Sequence, residues 1–375
     1  MVLRSIKLTN FRNLNGEYAL SKGINVIIGA NGLGKTNFLE STNFLSYGKS
    51  FRTNCEANII NTSITGPSHL KFMRISGNFV DSLGSEVMHD VVLENTNNGN
   101  GNGCRKTLKK NNNKTPLSKF LRDFHTIIFS PNTIDLVISS PSVRRRDIDD
   151  FLSIYDRDYF TEITEYKKVI RNRNRVLESV LKNTSNRSEL SFWNKKLIDL
   201  GAIIIYKRIN FVDTINPLIS KLASKLFNSK VKDLEVKYIS KFVQSKKQKD
   251  IKNSFKRKIE QNIDKEIFAG TSLYGPQRED FYFLLNSYDL KEFGSRGQQR
   301  LCSFLYKIAQ YKLLKRKTGS APMLLLDDLF SELDRDVRTK VCSFLIDVEG
   351  QTILTAVSEK EFDKEFLEKV NRVEL

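Results

Sequence analysis

The chain holds only four cysteines, Cys55, Cys104, Cys302 and Cys342, and no two of them form a C-x-x-C pair. Its histidines are three, His69, His89 and His125. These shortages leave zinc sites and a Cys/His nucleophile without support, and the thiols read as buried and free. Long apolar runs are missing as well. A bilayer span needs roughly 18 such residues, and Leu200–Tyr206 is among the longest runs present. The start, Met1–Lys7, alternates like a strand and has no apolar signal core. A cytoplasmic protein with no membrane partner is expected.

What is plentiful is positive charge. Lys and Arg number 61 against 43 Asp and Glu, a net of +18 on 375 residues. This excess favours a polyanion partner, of which nucleic acid is the commonest. A lysine-rich composition spread over solvated faces is the competing reading. Apolar residues at 39% and charged residues at 28% describe a globular chain of one large domain or two to three small ones.

The stretch Gly29, Ala30, Asn31, Gly32, Leu33, Gly34, Lys35, Thr36 follows the apolar run Ile24–Ile28 and precedes Asn37–Glu40, which reads as a first helical turn. Strand, Gly-rich loop and helix are the context of a phosphate-binding loop. Glycines let backbone N–H groups turn toward a phosphate, and the helix N-terminus adds its positive end. Lys35 is expected to reach the β/γ-phosphates of ATP and Thr36 to ligate Mg²⁺, with Asn37 closing the candidate site. A Gly-rich turn matching by chance is the alternative.

Around this loop, Ser5–Leu8, Asn10–Leu14 running into Tyr18–Leu20, Leu70–Ile75 and Val87–Leu93 read as strands. Residues 95–113 are rich in Asn, Gly and Lys, cannot bury a core, and read as an exposed loop or hairpin without chemistry. Ile127–Phe129 is a short strand stopped by Pro131. Arg144, Arg145 and Arg146 then sit at a helix start, opposing its dipole. Either an anion lies nearby or they form salt bridges to Asp147, Asp149 and Asp150.

From Leu152, the positions Tyr155, Tyr159, Ile163, Tyr166 and Ile170 step along one helical face, and Arg171, Arg173 and Arg175 cannot all share it. A second helix runs from Leu190 through Trp193, Leu197, Gly201 and Ile204 toward Leu222 and Leu226, with Pro217 expected to break or kink it. After a strand at Leu234–Tyr238, Ile251, Phe255, Ile259, Ile263 and Ile267 recur every fourth residue. Lys246, Lys247, Lys249, Lys252, Lys256, Arg257 and Lys258 surround them, which makes a basic amphipathic helix.

The strand Ala321–Leu326 ends in Asp327 and Asp328, a Walker B form. One acid is placed for the Mg²⁺ shell, Asp327, and the next for the attacking water, Asp328 as general base. An acid pair capping a strand is the plain alternative. Upstream, Gly294–Arg300 contains S-x-G-Q before the apolar helix Leu301–Leu314. Alone this is a capped helix; in the order P-loop, signature, Walker B it is an ABC-type signature.

Taken together, Asn10–Asn13, Gly29–Asn37, Phe129–Pro131, Pro141–Asp147, Gly275–Asp280, Gly294–Arg300 and Met323–Asp334 follow one another as in the RecF family, which is similar to SMC heads but short-armed. The resemblance covers nearly the whole chain. It implies an α/β fold: an ABC/SMC-type ATPase head from residues 1–144 and 268–375, and a mostly helical arm at 145–267. It also implies an ATP-driven homodimer in which Ser295, Gly297 and Gln298 face a second subunit's nucleotide. The implied function is DNA repair, with binding of double-stranded and gapped DNA and help in RecA loading beside RecO and RecR. Arg296 stands where a glycine is frequent, and Thr352–Ser358 carries no switch histidine. Asp328 replaces a longer Glu, so turnover below about 10 s⁻¹, the general median, is expected. A transporter ATPase subunit and a DNA-binding scaffold with a vestigial nucleotide site are the other classes weighed.

Overall fold

Met323–Leu326 is buried at all four positions and Thr352–Ala356 at all five, the pattern of strands covered on both faces. In the computed structural model they are the centre of a five-stranded parallel sheet. Its order is Val370–Val373, Ile24–Ile28, Thr352–Ala356, Met323–Leu326, Thr126–Phe129. The structure describes residues 1–53, 55–61, 72–81, 83–96, 104–227, 233–242, 245–331 and 333–375. These divide into two units, Met1–Thr133 with Gln310–Leu375, and Ile134–Ala309.

The first unit holds a second sheet whose strands alternate. In Phe72–Val80 only Met73, Ile75, Gly77 and Phe79 are buried, so one face packs inward. The sheet is antiparallel in the order Leu14–Ala19, Val2–Phe11, Phe72–Val80, Glu86–Asn95, Cys104–Lys110, Asn113–Lys114. The helix Lys35–Tyr47 touches strands of both sheets and buries Phe38, Leu39, Phe44 and Leu45 completely. A Cβ at Gly77 would lie 2.6 Å from Leu45 Cδ1, so glycine lets that helix close on the sheet. Of the Asn-rich stretch, residues 97–103 lie outside the described ones; Cys104–Lys110 and Asn113–Lys114 pair as a hairpin, one of the two expected forms, but against expectation Leu108 joins the core. Composition misled because one leucine at an inward position suffices to seat a strand. Leu70 and Lys71, at the start of another expected strand, also lie outside the described residues.

The second unit is mostly helical: Pro141–Tyr155, Tyr159–Leu181, Leu190–Phe227, Gln248–Gln261 and Ile263–Ala269, beside a three-stranded antiparallel sheet. The continuous face expected from Leu152 to Ile170 is interrupted. Asp156 Oδ1 accepts the Asp158 N–H at 3.0 Å, ending one helix and starting the next, and Val169 is buried in place of Ile170. Arg173 shares the buried stripe, fully enclosed and paired to the equally buried Glu266 at 2.5 Å. Pro217 does not break its helix, which runs unbroken over 38 residues. Asn216 beside it exchanges two side-chain hydrogen bonds with the Val236 backbone, at 2.9 and 2.8 Å, which anchor the helix to the strand Leu234–Ile239 at this point. The basic helix, by contrast, is split at Asn262, whose side chain donates to the Lys258 carbonyl at 2.9 Å and competes with the backbone ladder.

Candidate nucleotide-binding site

Ile28 ends a strand of the parallel sheet, and the helix that follows begins at Lys35 with Gly34 at its N-cap, φ +104°. No side chain caps this helix, and its first turn carries no acid, so its leading N–H groups are left for an external anion. A Cβ on Gly34 would come 2.8 Å from Leu14 Cδ2 and 3.0 Å from Asn13 Oδ1, which reserves the position for glycine. Lys35 Nζ donates to the Gly29 carbonyl and, at 2.9 Å, to that of Ala30. The ammonium thus folds back over the loop where phosphate oxygens would replace the carbonyls. Gly32 accepts from Asn13 Nδ2 at 3.4 Å, while Asn31 and Leu33 face outward.

Thr36 and Asp327, at opposite ends of the sequence, meet: Thr36 Oγ1 donates to Asp327 Oδ2 at 2.8 Å. Between their strands runs Thr352–Ala356, and its Thr355 hydroxyl donates to Asp327 Oδ1 at 2.8 Å while accepting the Asp328 N–H at 3.0 Å. Burial pushes the Asp327 carboxyl above its ordinary pKa, Thr355 and Thr36 pull it back, and Asp328 and Arg52 add opposing smaller charges. Asp328 has a left-handed backbone, φ +49°, which turns the second acid away from the strand direction. Hydroxyl and carboxylate oxygens are hard donors of the kind Mg²⁺ takes. Among the described residues no group of three or more His, Cys, Asp and Glu could hold a metal, so phosphate and water would complete the shell around Thr36 and Asp327.

Several neighbours escaped the sequence reading. Glu40, fully buried one turn after Thr36, receives Arg12 through two bonds of 2.5 and 2.9 Å and lies 3.6 Å from Arg52. Arg52 Nη1 donates to Asn37 Oδ1 at 2.5 Å, and Asn37 donates to Asn13 Oδ1 at 2.6 Å. The available signal was an acid sitting among Phe38, Leu39, Phe44 and Leu45 on an apolar helix, a position that requires cationic partners. Thr355 left no comparable trace.

The signature lies in the second unit, and there it is a capped helix as well. Ser295 Oγ accepts the Gln298 N–H at 3.3 Å, and Gln298 Oε1 accepts the Ser295 N–H at 2.8 Å, at the start of the helix Arg296–Thr318. Gly297 in its first turn meets nothing within 4 Å of a built Cβ, so its outer side is open. For Arg144 and Arg145 the hydrogen-bond partners are not the neighbouring aspartates. Arg144 makes two 2.8 Å bonds to Asp280, and Arg145 donates to the Glu279 carbonyl at 2.9 Å. Asp147 and Asp149 are taken by Lys307 and Arg208. The stretches Pro141–Asp147 and Gly275–Asp280 therefore join each other, and the pairing was invisible because the partners come from distant segments.

A glycine loop between strand and helix, an acid pair on the next strand but one, and a serine-capped signature helix define an ABC/SMC-type P-loop ATPase head. A sequence model of the RecF/RecN/SMC N terminal domain family matches residues 2–374. The chain belongs to this family, in its RecF branch. The DNA replication and repair protein RecF of Ligilactobacillus salivarius (strain UCC118) is 33% identical over 357 residues, 92% of this chain and 90% of the relative. That of Thermoanaerobacter sp. (strain X514) is 30% identical over 365 residues, 96% of this chain and 95% of the relative. A solved structure of the recombination mediator protein RecF with ATP, in the RecFOR pathway, is 30% identical with a TM-score of 0.85, over 96% of this chain and 93% of that one. An Smc head bound to the C-winged helix domain of ScpA, 16% identical with a TM-score of 0.53 over 96% of this chain and 90% of that one, shares the fold alone.

Proposed function

We propose that the chain is an ATP-dependent DNA-binding protein of recombinational DNA repair and replication. It binds duplex DNA at single-strand gaps, assists RecA loading with RecO and RecR, and uses slow ATP hydrolysis as a switch on a cytoplasmic homodimer. The observation that carries this reading is the 2.8 Å bond between Thr36 and Asp327, which brings loop and strand acid together as a P-loop ATPase requires. Lys35 and the uncapped helix N-terminus bind the β/γ-phosphates; Thr36 and Asp327 hold Mg²⁺; Asp328 takes the proton of the attacking water. Bound Mg²⁺ would neutralise charge on the phosphates. No helix among the described residues is long and apolar enough to cross a membrane; what speaks against a transporter ATPase subunit is the wide separation of Gly29–Thr36 from Asp327 and the net charge of +18. Binding to duplex, single-stranded and gapped DNA, with and without ATP, tests the reading. Phosphate release that is absent with and without DNA would instead leave a scaffold with a vestigial site.

Asp328→Asn is expected to keep ATP affinity while slowing hydrolysis by about 100-fold, because an amide cannot accept the proton. Asn tolerates the left-handed backbone that Asp328 occupies, so the fold should be unaffected. Single-turnover cleavage at the wild-type rate would move the base elsewhere.

DNA affinity should fall steeply with salt and show little sequence preference, since positive charge is abundant and no base-reading motif is present. Titrations across salt concentrations and unrelated sequences check this; a salt-insensitive, sequence-selective complex would contradict it.

A further inference from the structure

Residues 246–258 hold seven cations and one acid, Asp250, a net of +6 out of +18 for the whole chain. A face that merely keeps the protein in water interleaves both signs. Here cations dominate: the helix Gln248–Gln261 carries Lys249, Lys252, Lys256, Arg257 and Lys258 against two acids, Asp250 and Glu260. Ile251, Phe255 and Ile259 are completely buried, and a Cβ at Gly201 would lie 2.5 Å from Phe255 Cε1, so this face is closed against the helix Leu190–Phe227. Around the opposite side Lys249, Lys252, Asn253, Lys256 and Arg257 are all exposed. Their spacing, i, i+3, i+4, i+7, i+8, lines them in one stripe about 12 Å long.

We propose that this stripe is a docking surface for the phosphate backbone of duplex DNA, an inference that rests on the DNA-binding reading above. Because the apolar side is consumed by packing, the helix has nothing to insert into a membrane or lay in a peptide groove. The stripe has no aromatic or apolar anchor of the kind that centres a protein interface, and none on which an unpaired base could stack. What remains is charge complementarity to a rigid polyanion. Lys249 and Arg257 have no ion-pair partner among the described residues. Among the described residues Lys252 is paired only to the part-exposed Asp199 and Lys256 only to Glu260 at 3.8 Å, surface contacts that a phosphate can displace at little cost.

The test compares two full-length variants that each lose four charges. One carries Lys249→Gln, Lys252→Gln, Lys256→Gln and Arg257→Gln; the other carries Lys7→Gln, Lys22→Gln, Lys360→Gln and Lys364→Gln at exposed sites in the first unit. The probe is a gapped duplex of random sequence, titrated at several salt concentrations, with nucleotide affinity and circular dichroism confirming the fold. The slope of log K against log salt should be shallower by about 3 to 4 in the stripe variant, close to 0.9 for each lost phosphate contact. The control should keep nearly the wild-type slope. An unchanged slope in the stripe variant, or an equal loss in both, overturns the inference while leaving DNA binding intact. A wild-type protein that binds no duplex DNA in any nucleotide state overturns both.

Discussion

Lys35→Ala is expected to abolish every ATP-dependent property while leaving the chain folded. The ammonium already spans the loop, donating to the Gly29 and Ala30 carbonyls, so it is positioned before a phosphate arrives. A triphosphate replacing those carbonyls would gain a charge-assisted bond at an enclosed anion. Truncating one partner of such a pair costs about 3 kcal/mol or more, a loss of affinity of roughly 100-fold. Folding should be little affected, because the helix that Lys35 begins is anchored by Phe38, Leu39, Phe44 and Leu45, all fully buried. Titration with a fluorescent ATP analogue beside a thermal melt separates the two effects. Unchanged nucleotide affinity would remove Lys35 from the site, and a collapsed melting curve would assign it to the fold instead.

How much could be read before the structure depended on the range of the interaction. The phosphate loop was legible because strand, glycines and helix start are contiguous, and Ile24–Ile28 and Lys35–Tyr47 occupy the places the pattern gave them. Asp327 and Asp328 were legible as an acid pair ending an apolar strand. Thr355 was not, since one hydroxyl in a buried strand has no pattern. Its role exists only because Thr352–Ala356 lies between the two strands that carry the loop and the acids. The partner of Arg144 was missed in the same way. Local arguments offered the dipole or neighbouring aspartates, whereas Arg144 is satisfied by Asp280, 136 residues away. Helix interruptions at Asp156 and Asn262 were missed for a different reason, because hydrophobic period alone does not register a side chain that bonds to its own backbone.

Ser295→Arg should bind ATP as a monomer and neither dimerise nor hydrolyse it. If, as in ABC-type heads, the signature faces away from its own P-loop, the γ-phosphate it would touch belongs to a second subunit. The Ser295 hydroxyl is suited to this double duty. Its oxygen accepts the Gln298 N–H, which caps the helix, and the hydroxyl proton remains to donate to a phosphate. Arginine removes the cap, costing about 1 kcal/mol of stability, but fills the contact with a long side chain, so the assembly defect should far exceed the folding defect. Two nucleotides would sit at an isologous interface, each between Lys35 and Thr36 of one chain and Ser295, Gly297 and Gln298 of the other. Binding shared across that interface would make ATP, and not ADP, drive dimerisation. Mixing Ser295→Arg with Lys35→Ala subunits should then restore at most one working site per heterodimer, where the intact Lys35 of the first meets the intact Ser295 of the second. Sedimentation with a non-hydrolysable ATP analogue decides the matter, and a wild-type chain that stays monomeric at micromolar concentration with nucleotide and DNA present would defeat the arrangement.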